Sequence, residues 1–336
     1  MAVSFERNMV IGLEPETAYN EAFDAAGHIG FRVLPGSRLE FKQDVRRMPS
    51  ARGISMLSPF DIAKGLRGWS YECTMNLPKE SLSHLLKHMF GTMSNALITT
   101  LYYKHVHTIK TPAFGTSPTP PSLRIRIIDD NREWQLRGGV LTELTLRMSL
   151  ENWWHAQCRF IGGSFADAAI GTAPTVTTPS SGDHFFLSEN ITFTLAGSAW
   201  SAESFEITFK RNYADNALAS YQAGSAERVR LESTSDAGPA IEISGFTRRL
   251  YDGITQFDMF DAFTEVTLIA TGGTIDTEVY ALKVDLQRCR VEDWKKEGVD
   301  GLEFQRLDFT AYAQSSSTIA TDVVVTQQDT QNMTAI

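Results

Sequence analysis

Cysteine is scarce in this chain of 336 residues. Cys73, Cys158 and Cys289 are far apart, odd in number and outside any CxxC pair, so neither a disulfide framework nor a thiolate metal knot is expected. Each falls in a segment that reads as a strand, which makes buried free thiols the expected state. Long apolar runs are missing, and none approaches the ~20 residues that a membrane helix needs. The opening MAVSFERNMVIGLEPETAYNEAF has no secretory apolar core, because Glu6, Arg7 and Asn8 interrupt it, so synthesis in a cytoplasm is expected. Basic excess is missing too. A net charge of −9 and a pI near 5.3 argue against tight nucleic-acid binding, which needs clustered Lys and Arg on phosphates. They leave room for a surface past which DNA moves without sticking. There is no GxGxxG, Walker loop, HExxH or GxSxG, so an enzyme is the least supported class, and no catalytic, cofactor or metal residues are assigned.

What is present is strand pattern. Hydrophobic content of 42% is enough for a real core, and the length favours two domains. The clearest unit is GWSYECTMNLPKESLSHLLKHMFG, from Gly68 to Gly91. Trp69, Tyr71, Cys73 and Met75 alternate with Ser70, Glu72 and Thr74, as in a half-buried strand. Pro78 opens a helix, and Leu82, Leu85, Leu86, Met89 and Phe90 form its core-facing side. Gly91 stands at the C-cap.

Around this unit the order predicts a repeat of pattern. The first half runs from a strand at Ser37–Val45, through a long loop at Arg46–Gly65, to the strand and helix. Strands at Tyr102–Ile109 and Ser122–Ile128 follow, then Glu133–Arg137, a break at Gly138–Gly139, Leu141–Met148, and Trp153–Ile161. The second half reads as ESFEITFK, a long loop at Asn212–Gly238, a strand at Ile241–Phe246, and a helix at Ile254–Phe263 with a Thr255–Asp258 capping box. Strands at Val266–Ala270, Tyr280–Leu286 (with Val291 just beyond) and Leu302–Tyr312 complete it. The expected organisation is an N-terminal arm at 1–36, a first domain at 37–163, a linker at 164–188, a second domain at 189–313 and a polar tail at 314–336 that orders only against a neighbour.

Few residues invite chemistry. His105 and His107 share a strand face, but two ligands with no acidic residue nearby in sequence fall short of a stable metal site. Asp129 and Asp130 read as a turn. Arg46, Arg47, Met48, Arg52 and Met56 read as a protein-contact loop in preference to a phosphate site, since Arg and Met favour interfaces. Of Trp153 and Trp154, the second belongs in the core. Two sheets with free edges can hide them by joining edge to edge into a ring.

The segments VIGLEPETAYNEA, RGWSYECTMNLPKESLSHLLKHMFG, and YYKHVHT followed by PPSLRIRI and WQLRGGVLTELTLRMSLE resemble the tail tube (major tail) proteins of long-tailed, non-contractile double-stranded-DNA bacteriophages, over roughly Val10 to Tyr312. The resemblance implies a mainly β (α+β) fold of two tandem β-sandwich or barrel tube domains, each with one short flanking helix. It implies a siphophage virion structural protein, made in the host cytoplasm, that self-assembles into trimeric, pseudo-sixfold rings stacked as a DNA-ejection conduit. Homohexameric rings are the alternative. Implied partners are copies of itself, the tape measure, terminator and distal tail proteins, and viral DNA passing through without sequence-specific binding. A lumen rich in carboxylates is expected. Two other readings stand beside this one. One is a distal tail, baseplate or injection-machine ring protein of the same fold. The other is a β-sandwich carbohydrate-binding module using Trp153 or Trp200.

Overall fold

The computed structural model describes residues 9–16, 29–47, 62–76, 82–99, 102–109, 122–128, 132–149, 154–169, 175–176, 191–212, 241–253, 260, 262–275, 278–313 and 323–329. The elements are β1 (Val10–Pro15), β2 (Ile29–Arg32), β3 (Arg38–Arg47), β4 (Ile62–Asn76), α1 (Leu82–Phe90), β5 (Gly91–Thr99), β6 (Tyr102–Ile109), β7 (Leu123–Ile128), β8 (Glu133–Ser149), β9 (His155–Gly162) and β10 (Ser164–Ala168). They continue with β11 (Thr175–Val176), β12 (Ile191–Leu195), β13 (Ser198–Ala199), β14 (Ser204–Arg211), β15 (Ile241–Leu250), β16 (Thr264–Ile275), β17 (Glu278–Val299), β18 (Leu302–Ala311) and β19 (Val323–Asp329). The protein is mainly β.

The main sheet has eight antiparallel strands in the order β3-β4-β9-β8-β14-β15-β18-β17. Its order is a repeat. β3-β4-β9-β8 from the first half is followed by β14-β15-β18-β17 from the second, and β8–β14 joins them. The longest strands, β8 and β17, each leave the main sheet partway and enter a side sheet. The first part of β8 joins the order β11-β2-β1-β7-β8-β10. The first part of β17 joins β13-β12-β16-β17-β19-β6-β5. The hairpin β5–β6 has no counterpart among the described residues of the second half, yet it extends the second half's side sheet.

Period-2 alternation explains the core. Tyr71, Cys73 and Met75 of β4, Ala156, Cys158 and Phe160 of β9, Leu144 and Leu146 of β8, and Phe205, Ile207 and Phe209 of β14 all point inward and are buried. Helix α1 lies on this face against β8, β5, β6 and β19. Leu82, Leu85, Leu86, Met89 and Phe90 are fully buried, at roughly 2 kcal/mol of transfer free energy each before entropy costs. Gly91 ends the helix at φ +79°, a conformation that a Cβ disfavours. Arg211 of β14 donates from Nη2 to the Phe90 carbonyl at 3.3 Å, so the second half caps the first half's helix.

Several expectations need correction. The 1–36 arm contributes β1 and β2, which pair with each other, and β1 also pairs with β7. The strands flanking the 46–65 loop run further than expected, since β3 reaches Arg47 and β4 starts at Ile62. The expected break at Gly138–Gly139 is a corner inside one strand: Gly138 takes φ +61°, its N–H donates to Glu16 Oε1 at 2.8 Å, and β8 changes sheets there. The start of the 164–188 linker belongs to the side sheet, as β10 on β8 and β11 on β2. Val291 lies within β17. The 314–336 tail contains β19, which inserts between β17 and β6 of this same chain. Its Val323, Val325, Gln327 and Asp329 are buried, so it needs no neighbouring molecule to order. Most of the expected second helix, 254–259 and 261, lies outside the described residues, and Phe263, read as part of its apolar face, is 54% exposed.

Candidate functional site

The outer face of the main sheet carries the charged residues that alternate with the core. Register arranges them in rungs. One rung reads Arg38, Glu72, Arg159, Glu143, Lys210, Glu242 across six neighbouring strands, with the sign changing at every step. Arg159 and Glu72 meet at 3.2 Å, and Lys210 and Glu242 at 3.6 Å. The next rung is uncharged over most of its width: Thr74, Gln157, Thr145, Thr208, Ser244 and Thr310. Opposite charges directly across a ladder stabilise the pairing modestly, by about 0.2–1 kcal/mol each. Toward β17 the register instead sets like charges opposite each other, Arg248, Arg306 and Lys295 in one rung and Asp308 with Asp293 in another. Their ion pairs run along or diagonally between strands, so the face carries both signs and is not predominantly carboxylate.

The internal junction between halves is well defined. β8 and β14 set Arg147 against Glu206 at 2.6 Å, Thr145 against Thr208 at 3.0 Å and Leu144 against Phe209. The outer edges of the sheet, β3 and the second part of β17, have no strand partner among the described residues. An open edge is a template for another strand. On β3, Glu40 contacts Arg38 and Lys42 of its own strand; on β17, Lys295 contacts Asp293 at 2.6 Å. Phe41 is 37% exposed beside that edge.

The ends of the main sheet differ. Register directs the last residues of β3 and β14, Arg47 and Arg211, toward one end. Leu250, Val299 and Leu302, each exposed, stand together at the other. Of the expected contact-loop residues, Arg46 and Arg47 close β3, while Met48, Arg52 and Met56 lie outside the described residues.

A family model for phage tail tube proteins matches residues 7–311. The chain belongs to the phage tail tube family. A tail tube protein is a structural component of the virion tail, and that role needs no catalytic constellation. No curated protein matches the chain. No helix among the described residues is long and apolar enough to cross a membrane.

In this tail tube protein Trp200, one of the two tryptophans offered as a sugar platform, is committed elsewhere, and Trp154 takes its expected place in the core. Trp154 is fully buried against Phe205. Trp200 is nearly buried, donates from Nε1 to Thr247 Oγ1 at 3.1 Å and lies under the Arg249 guanidinium. Trp153 lies outside the described residues. The tail tube protein also buries a polar cluster that sequence spacing concealed. His105 Nε2 lies 2.9 Å from Asp329 Oδ1, and Ser83 of α1 donates to Asp329 Oδ2 at 2.8 Å. The acidic partner missing near His105 in sequence thus arrives on β19, beyond the family match. Burial pushes the neighbouring His107 down to about 3, assisted by the charges of His105, Lys87 and His84. Both its ring nitrogens are without a hydrogen-bond partner among the described residues. No group of three or more His, Cys, Asp or Glu among those residues is arranged to hold a metal. The cluster is a structural lock between α1, β6 and β19. Cys73 and Cys158 are likewise brought together, directly opposite on β4 and β9, both as buried free thiols.

Proposed function

We propose that this tail tube protein forms rings by joining main sheets edge to edge, and that the rings stack into the tube through which DNA leaves the virion. The observation that carries the reading is the repeated strand order β3-β4-β9-β8 and β14-β15-β18-β17 in one sheet with an open edge at each end. An edge that recurs within the chain, already joined once at β8–β14, is suited to joining again between chains. Three chains of eight strands would close a wall of about twenty-four, with six quasi-equivalent units. The two domains of this reading are the halves that carry that repeat, each a tube unit with its own side sheet.

The charged outer face is the natural lumen lining. Cations such as Arg147, Arg159 and Lys210 are held by carboxylates across the ladder, and Lys295 and Arg306 by carboxylates of their own strands, which limits their displacement of counterions from DNA phosphates. Stacking uses the unlike ends: the 48–61 and 213–240 connections of one ring against Leu250, Val299 and Leu302 of the next. The tape measure, terminator and distal tail proteins are the expected neighbours along and at the ends of such a tube.

Negative-stain electron microscopy of purified protein, with its mass in solution, tests the reading. Hollow rods or stacked rings with threefold chain symmetry support it; sixfold chain symmetry rejects the trimer. Single rings that never extend favour a distal tail or baseplate role. Deleting 47–56 is expected to leave rings intact and shorten the tubes. Normal tube length in that variant rejects the stacking role of the connection.

A further inference from the structure

The internal repeat specifies how the open edges would meet. The β8–β9 ladder is irregular between Leu141 and Glu143, and the β17–β18 ladder between Val291 and Asp293. The shared irregularity makes Asp293 the counterpart of Glu143, and so Glu297 the counterpart of Arg147. Across the sheet, Arg38 reaches Glu143 through Glu72 and Arg159, while Glu206 reaches Asp293 through Phe246 and Asp308. Arg38 is therefore the counterpart of Glu206. Within the chain, Glu206 faces Arg147.

We propose that β17 of one chain pairs antiparallel with β3 of the next in this inherited register, placing Glu297 on Arg38, Lys295 on Glu40 and Asp293 on Lys42. This inference rests on the ring reading and adds its register and contacts. The polar face then gains three opposite-charge pairs, and the core face brings Trp294 to Phe41. In a lone chain Glu40 pairs with Arg38 and Lys42 of its own strand, Lys295 with Asp293 and with Asp308 of β18, and Glu297 with Arg248 of β15; the new ladder sets each opposite a further charge of the other sign. A shift of two residues sets Glu40 against Asp293 or Glu297, and Lys295 against Arg38 or Lys42, so like charges oppose each other. A shift of one turns the apolar side chains outward.

The same charges set the order of halves. Arg147 and Glu206 at the internal junction become Glu297 and Arg38 at the external one, with the signs exchanged. A β8 edge offered to β3 would oppose Arg147 with Arg38. A β17 edge offered to β14 would oppose Glu297 with Glu206. Repulsion against wrong partners is a common source of specificity. First and second halves must therefore alternate around the ring.

Directly opposed positions lie close enough for a disulfide. Under oxidation, the variant Glu40→Cys/Lys295→Cys should convert most chains of assembled protein into covalent multimers on a non-reducing gel. Glu40→Cys/Asp293→Cys and Glu40→Cys/Glu297→Cys should not. Glu40→Lys and Lys295→Glu should each abolish rings while keeping the wild-type thermal transition, and Glu40→Lys/Lys295→Glu should restore them. Rings that form normally but cross-link only through another pair overturn the register and leave the ring reading intact. A wild-type chain that remains monomeric at every concentration overturns both.

Discussion

Trp69 lies in a slot at the corner where β8 changes sheets. Its indole donates to the Arg137 carbonyl at 3.2 Å, and its ring covers Gly139 and Gly162. A Cβ on Gly162 would stand 2.2 Å from that ring. Gly162→Ala should therefore cost about 1–3 kcal/mol, read as a lower denaturant midpoint with an unchanged slope. Close by in the first side sheet, Arg126 and Glu133 form a bidentate pair with both side chains almost wholly buried. Arg126→Met strands a buried carboxylate and should cost about 3–5 kcal/mol in the same assay. Arg126→Met/Glu133→Leu should cost less than the single change, because no charge is left alone. His107 adds a pH dependence. Its folded pKa of about 3 lies below its unfolded value near 6.5, so the unfolded chain takes up its proton first. Its contribution is complete above pH 6.5 and is lost as pH falls toward 3. Between pH 6.5 and 5 the loss is about 2 kcal/mol. Thermal melts at those pH values should show it, and His107→Gln should flatten the slope.

At the scale of elements, strand content was legible and partnership was not. The alternation in Trp69–Met75 and in Phe205–Phe209 locates β4 and β14, and the spaced leucines of Leu82–Leu86 locate α1, because a strand's period and a helix's period are local properties. Nothing local tells β19 that its neighbours are β17 and β6, or β1 that its neighbour is β7. Small and polar letters hid other elements: the glycine in Val10–Pro15, the serine and aspartate in Ser164–Ala168, and the glutamines in Val323–Asp329. The buried Asp329 is polar because it meets His105 and Ser83, and that pairing is visible only once the sheet is assembled. Removing 323–329 should be severe. It opens the edges of β17 and β6 together and leaves His105 buried without its carboxylate. The truncated chain is expected to aggregate on expression, while a chain cut after Asp329 remains soluble, as judged by sedimentation.

For the whole molecule, the expected β class is the observed one, while the two-domain reading drawn from length stays a proposal that rests on the repeat in strand order. The proposed assembly surface was only partly legible. The loop residues Arg46 to Met56 drew attention by composition, whereas Arg38, Glu40 and Lys42 look like ordinary solvated strand positions until the proposed register sets them opposite Glu297, Lys295 and Asp293. Assembly through such pairs depends on ionic strength. The Debye length falls from about 10 Å at 0.1 M salt to about 3 Å at 1 M. The protein concentration at half-assembly should rise over that range, measured by light scattering, and should rise less for Glu40→Ala/Lys295→Ala.

The borrowed hairpin β5–β6 also sets a clock for folding. Its partner β19 lies far along the chain, with His105 and Asp329 separated by 224 residues. During synthesis β6 must wait, with one side of its backbone uncommitted, while the whole second half emerges. Contacts of such long range form late, and the waiting edge is the point most exposed to a wrong partner. In refolding followed by pulsed hydrogen exchange, amides of β6 and β19 should gain protection in one shared late phase, after those of β4 and β9.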